Sequence, residues 1–219
     1  MVVSMSRSRH KNRLHKKRGR SKSQQQWLER QLNDAYVEKA QQQGYRARSA
    51  FKLIELADKA GLDFRDKRVV DLGAAPGGWA QVAVARGAAR VVALDLLEIA
   101  PMEGVVVLQK DFMDDDAPGI LHAELGGAAD IVMSDMAPNM TGHQQTDHLK
   151  IMNLVEAAYD FAAHVLNPGG VFIAKVFQGG TEESLLKQMK QDFARVRHIK
   201  PPASRKESPE IYVVATGWR

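Results

Sequence analysis

The chain has 219 residues, 44% of them hydrophobic and 26% charged, with no cysteine and a formal net charge of +5. That length fits one domain with extensions, large enough to bury a core without staples. The absence of cysteine excludes a disulfide scaffold, a thiolate-ligated zinc and a cysteine nucleophile. No apolar run is long enough to cross a membrane, and no apolar stretch follows the charged N-terminus. The expected location is therefore the cytoplasm, with no membrane association.

The charge is unevenly placed. Residues 1–23 carry nine Lys and Arg, among them Arg18 and Arg20, and no acid; the remainder has 22 bases against 26 acids. Segment 1–24 has too few large apolar residues to offset the entropy of ordering, so it reads as a disordered arm that attracts phosphate backbones. A generic solubilising extension is the plainer alternative. Residues 25–219 read as a single domain, with a helical segment over 25–60 ahead of an α/β core over 67–219.

In that segment Trp27, Leu28, Leu32, Tyr36 and Val37 recur at helical spacing. A second helix is expected from Arg46 to Lys59, with Phe51, Leu53, Ile54 and Leu56 on its buried face. Short β-branched runs then follow at 68–72, 90–95, 105–109, 130–134, 170–176, 195–200 and 211–216. Helical patterns lie between them at 78–86, 118–125, 147–166 and 182–193. Asn167-Pro168-Gly169-Gly170 is a stop-and-turn signal before a buried strand. The alternation predicts a doubly wound, Rossmann-like α/β fold with a mostly parallel seven-stranded sheet. The last two runs are joined by a short Pro/Ser-rich loop, which suits an antiparallel hairpin.

Asp71-Leu72-Gly73-Ala74-Ala75-Pro76-Gly77-Gly78-Trp79 closes the first strand and opens the first helix of the core. Its glycines, Gly73 and Gly77, are spaced Gly-x-x-x-Gly, so the dinucleotide fingerprint is absent, and no P-loop lysine follows. The form Asp-x-Gly-x-x-x-Gly is similar to the first motif of S-adenosylmethionine-dependent methyltransferases, whose cofactor needs no phosphate cradle. Asp95 ends the second strand, where a carboxylate accepts hydrogen bonds from ribose hydroxyls. Asp111 follows the third, where an acid commonly receives an adenine amino group in this fold class. A cap or turn role is the plainer reading for any one of these acids. The fourth strand ends Ser134-Asp135-Met136-Ala137-Pro138-Asn139. Asn139 stands where amino-group methyltransferases place a base-stacking aromatic, which favours a hydroxyl target. Lys175 is the one charged residue between Val171 and Phe177. Lysine is rarely placed in an apolar strand unless paired, though a strand-end lysine reaching solvent is also possible. No ligand cluster for a metal is evident.

These segments, with Lys175-Val176-Phe177-Gln178-Gly179 and Ser208-x-Glu210-Ile211-Tyr212-Val213-Val214-Ala215-Thr216-Gly217, resemble the FtsJ/RrmJ (RlmE) family of large-subunit ribosomal RNA 2′-O-ribose methyltransferases. The resemblance covers about residues 25–219 and includes Arg46-x-Arg48-Ser49-x-Phe51-Lys52-Leu53. It implies S-adenosyl-L-methionine as cofactor, held by Gly73, Gly77, Trp79, Asp95, Asp111 and Asp135. It also implies a catalytic set of Lys52, Asp135, Lys175 and Glu210, with Lys175 as base toward the 2′-hydroxyl. The implied partner is 23S rRNA in the 50S subunit, at a uridine of the A-loop. The long N-terminal extension and Lys110 are the departures from the family pattern. Arg18 and Arg20, with Arg46, Arg48 and Lys52 read as one helix, form a candidate phosphate path; a solvated helix face is the alternative for those arginines. A tRNA or mRNA-cap target, or a non-catalytic RNA-binding assembly factor, remains open, and nothing demands more than a monomer.

Overall fold

The computed structural model describes residues 32–138, 143–178 and 183–219. The basic arm with Arg18 and Arg20, the part of the first expected helix that holds Trp27 and Leu28, and Asn139 lie outside the described residues. The elements run α1 (Ala35–Gln42), α2 (Ala50–Ala60), β1 (Arg68–Leu72), α3 (Gly78–Ala85), β2 (Arg90–Asp95), β3 (Val105–Gln109) and α4 (Ala117–Leu125). They continue with β4 (Ala129–Ser134), α5 (Gln144–Val165), β5 (Leu166–Phe177), α6 (Glu183–Asp192), β6 (Phe193–Ile199) and β7 (Glu210–Trp218).

The strands form one seven-stranded sheet in the order β3-β2-β1-β4-β5-β7-β6. β7 alone runs antiparallel to its neighbours, β5 and β6. Strands buried on both faces should be continuously apolar rather than alternating, and Val69-Val70, Val91-Val92 and Ile131-Val132 are. One set of alternate residues, including Val69, Val91, Ile131 and Ile173, packs under α2 and α3. The other, including Val70, Val92, Val132 and Phe172, packs under α4, α5 and α6. From β1 the chain winds one way through β2 and β3, then returns to β4 and β5 on the other side. The β1/β4 boundary is therefore the switch point, where such sheets leave a crevice at the carboxyl ends of the strands. Among the described residues no helix is long and apolar enough to cross a membrane.

Two boundaries differ from the sequence expectation by four residues, more than the others. The helix expected from Arg46 starts at Ala50, and residues 45–49 form a turn. That turn is held against α3: the Arg46 N–H donates to Gln81 Oε1 at 2.7 Å, and Trp79 Nε1 donates to the Ser49 carbonyl at 2.9 Å. Contacts to α3 thus hold these residues in a turn ahead of the helix. The Asn167–Gly170 signal does not separate α5 from β5. It falls inside a break in register, between the Ala129–Leu166 pair and the Ile131–Val171 pair. The regular ladder begins at Val171, close to the expected Gly170.

Phe172 is fully buried in the middle of the sheet, with its ring centroid 5.8 Å from that of Tyr159 on α5. Phe172→Ala should lower stability by about 3–5 kcal/mol. The check is a urea titration, in which the midpoint falls while the slope stays that of a two-state transition.

Candidate active site

Register alone brings the key residues together. Ser134 pairs with Leu72 on one side and with Ala174 on the other. The next residue, Asp135, therefore leaves the sheet between Gly73 and Lys175. Lys175 pairs with Tyr212, and Phe177 with Glu210. Paired and alternate residues share a sheet face, so Lys175, Tyr212 and Glu210 all point to the α2 side. There Lys52, 6% exposed, descends from the first turn of α2.

The four groups form one ionic cluster. Lys175 Nζ lies 2.9 Å from Asp135 Oδ1, donates to the Asp135 carbonyl at 2.8 Å, and is 3.6 Å from Glu210 Oε1. Lys52 Nζ is 3.1 Å from Glu210 Oε2 and 3.7 Å from Asp135 Oδ1. The Tyr212 hydroxyl donates to Asp135 Oδ1 at 2.5 Å. Burial by itself would raise the Asp135 carboxyl, but the charges of Lys175 and Lys52 outweigh it and hold the group below its ordinary range. Glu210 behaves the same way. Burial would lower Lys175, yet Asp135 and Glu210 raise it above an ordinary lysine. In the resting protein Lys175 is thus a firmly held cation. Burial, with the Asp135 charge, pushes the Tyr212 phenol well up, so it stays a neutral donor.

The Gly-rich loop follows β1, Asp95 ends β2 and Asp111 follows β3, all at the same end of the sheet. Gly73 has φ +68°, and a Cβ there would lie 2.1 Å from Met136 Cγ, so the loop after β4 closes directly on it. Gly77 has φ +105°, and a Cβ would meet Met102 Cε at 2.4 Å. Asp95 accepts the Ala75 N–H at Oδ2 and the Leu97 N–H at Oδ1, each at 2.8 Å. Asp111 Oδ1 accepts the Met113 N–H at 2.9 Å. Each carboxylate is aimed by one or two backbone donors and keeps lone pairs for a ligand.

Several expected roles look different in place. The Trp79 side chain is 2% exposed, with its ring centroid 5.7 Å from that of Tyr212. A ligand contact by Trp79 would therefore come from its backbone N–H at the start of α3, where helical donors lack intrahelical partners. Arg46 and Arg48 do not share a helix with Lys52; both sit in the turn before α2. Arg48 pairs with Asp34 at 3.1 Å and donates to the Ala203 carbonyl at 2.6 Å, in a network with Glu55 that anchors the β6–β7 loop ahead of Glu210. Lys110, a departure from the family pattern, pairs outward with Asp114 at 2.8 Å and Asp116 at 2.7 Å, away from the cluster. Sequence reasoning missed Tyr212. Its spacing of two from Glu210 on a β-branched strand carried that information.

Comparison with known proteins places the chain in a family. The FtsJ-like methyltransferase family matches residues 45–218. Proteins named ribosomal RNA large subunit methyltransferase E are similar over most of the chain. That of Xanthobacter autotrophicus is 58% identical over 214 residues, covering 95% of this chain and 84% of its own. That of Granulibacter bethesdensis is 61% identical over 202 residues, covering 92% and 88%. A solved structure described as a ribosomal RNA methyltransferase from Plasmodium falciparum superposes with a TM-score of 0.72 at 29% identity. It covers 80% of this chain and 98% of that one.

One buried acid near the cluster has a different consequence. Asp71, 1% exposed, accepts the Ala80 N–H, while its Oδ2 has no hydrogen-bond partner. Burial, with the Asp135 charge added, pushes this carboxyl well above the ordinary range. The folded chain therefore keeps a proton that the unfolded chain releases near pH 4, so wild-type stability falls as pH rises through that window. Asp71→Asn keeps an acceptor for Ala80 and removes the titration. Its stability relative to wild type should rise with pH, by up to about 1.4 kcal/mol per pH unit. Denaturant titrations of both proteins between pH 5 and 9 check this; parallel curves would contradict it.

Proposed function

The chain belongs to the FtsJ-like methyltransferase family, and on that premise we propose that it transfers a methyl group to a ribose 2′-hydroxyl of large-subunit ribosomal RNA. The donor in this reading is S-adenosyl-L-methionine. The target is a uridine of the 23S A-loop, in the 50S subunit. The observation that carries the chemistry is the Lys52–Asp135–Lys175–Glu210 cluster, set beside the glycine loop at the switch point. The choice of RNA rests on the names of relatives that match along nearly the whole chain.

The donor set suits this cofactor. Gly73 and Gly77, both at positive φ, make the tight turn that borders the cleft. Asp95 offers acceptors for ribose hydroxyls and Asp111 for an adenine amino group. Asp135 places a carboxylate where a cation is favoured. When bound, S-adenosylmethionine supplies a methyl on a sulfonium, whose positive charge would oppose the hold of Asp135 and Glu210 on the Lys175 proton. A 2′-hydroxyl is a weak acid, so attack needs alignment and a proton acceptor. Lys175 is that acceptor. With the cofactor bound as methyl donor, Lys175 Nζ would be the group that takes the 2′-hydroxyl proton. Asp135 and Glu210, already facing Nζ, receive the resulting ammonium. Lys52 fixes Glu210 from the other side, so the two orient the ribose.

A tritiated-methyl assay with undermodified 50S subunits, free 23S rRNA and tRNA tests this reading. Label should map to one A-loop ribose in the 50S subunit, and Lys175→Ala should reduce the single-turnover rate by about 10²–10⁴. Because neutral Lys175 is the minor form, the wild-type rate should rise about tenfold per pH unit on its acid limb. Label on tRNA would overturn the substrate. No label on any RNA despite cofactor binding would favour a non-catalytic RNA-binding role.

A further inference from the structure

Arg46 was expected on a path for RNA phosphates; in place, its guanidinium is bonded to backbone carbonyls. Nη1 donates to the Ala100 carbonyl at 2.6 Å and to the Pro76 carbonyl at 3.3 Å; Nη2 donates to the Pro101 carbonyl at 2.7 Å. These acceptors belong to two loops. Pro76 lies in the glycine loop between β1 and α3. Ala100 and Pro101 lie in the connection from β2 to β3, a few residues beyond Asp95. Neither loop runs in a ladder there, so those exposed carbonyls are open to a side-chain donor, and Arg46 takes that place. The base of the side chain is fixed as well. The Arg46 N–H is held by Gln81 Oε1 at 2.7 Å, and Gln81 Nε2 donates to the Gly44 carbonyl at 3.1 Å. A Cβ on Gly77 would lie 3.4 Å from Arg46 Nη1, so the guanidinium sits directly over the glycine turn.

The same two loops are joined a second time, on the inner side, where Asp95 Oδ2 accepts the Ala75 N–H. Asp95 and Arg46 are thus inner and outer ties between the same pair of loops. We propose that Arg46 is a positioning residue for the cofactor: its guanidinium fixes the spacing between the glycine loop and the β2–β3 connection, and so the aim of Asp95. This rests on the reading of that cleft as the S-adenosylmethionine site. Planarity is the reason for arginine. Its rigid fork of donors spans three carbonyls from two loops, whereas an ammonium is a point charge on a flexible stem.

Arg46→Lys separates the two roles, because a phosphate contact survives as a point charge and the span of three carbonyls does not. The measurements are the Kd for S-adenosylmethionine by calorimetry, steady-state kinetics with cofactor and RNA varied in turn, and the salt dependence of 50S binding. In Arg46→Lys the cofactor Kd and KM should rise about tenfold, with kcat within a few-fold and RNA affinity unchanged. Arg46→Ala should weaken the cofactor further and leave the salt slope of RNA binding intact. An unchanged cofactor Kd in both variants would overturn the proposal. So would a cofactor Kd that holds while Arg46→Ala shortens the salt slope by about one phosphate. If the wild-type chain bound no S-adenosylmethionine, the reading of the cleft itself would fail, and this proposal with it.

Discussion

Asp135 Oδ1 is the acceptor around which the site is organised. Lys175, Lys52 and Tyr212 all converge on it. A carboxylate in such a place is expensive to bury alone, because the interior does not solvate charge. Two lysines and a phenol offset that cost, and Glu210 in turn balances the second lysine. Removing any one partner would leave a buried charge uncompensated, which is far more destabilising than the net worth of the pair suggests. Asp135, Glu210 and Lys175 are therefore held charged by one another against the pull of burial. A ligand bringing positive charge to Asp135 changes the balance for all of them.

The fold converges on that atom from three directions. Register between β1, β4 and β5 places Asp135 between Gly73 and Lys175. The β6–β7 hairpin returns Glu210 and Tyr212 to the same face as Lys175. The turn over residues 45–49 delivers Lys52 from above. That turn is pinned at both ends: Trp79 holds its last residue through the Ser49 carbonyl, and Gln81 holds Arg46 at its start. Sites of this kind need their side chains held to within a fraction of an ångström. Here the positioning comes from strand register and from α3, and the loop carrying Glu210 is anchored by Arg48 and Glu55.

Most of the fold was legible in the sequence, since β-branched runs separated by helical patterns leave little freedom in a doubly wound sheet. The antiparallel hairpin followed from the short 201–209 connection. Lys175 stood out because a charge in an apolar strand demands a partner, and Asp135 through the resemblance of its motif to the family's. The roles of Arg46 and Arg48 were not legible. Nothing in composition distinguishes an arginine facing phosphate from one holding backbone carbonyls, and the difference depends on loops far away in the chain. The start of α2 was misread for the same reason: Phe51 to Leu56 has helical periodicity, but Gln81 and Trp79 claim the residues before it. Tyr212 lay hidden in a β-branched strand where an aromatic packs as readily as it donates.

The central claim is that Asp135 and Glu210 hold Lys175 as a cation against the pull of burial. The direct measurement is an NMR titration of Lys175 in protein carrying ¹³C-labelled lysine, compared with Asp135→Asn. The account predicts that wild-type Lys175 titrates above an ordinary lysine. Replacing the carboxylate should move that titration down, because burial then acts with less opposition. Identical titrations in the two proteins would mean that Asp135 does not govern the charge on Lys175, and the account would fail at its centre.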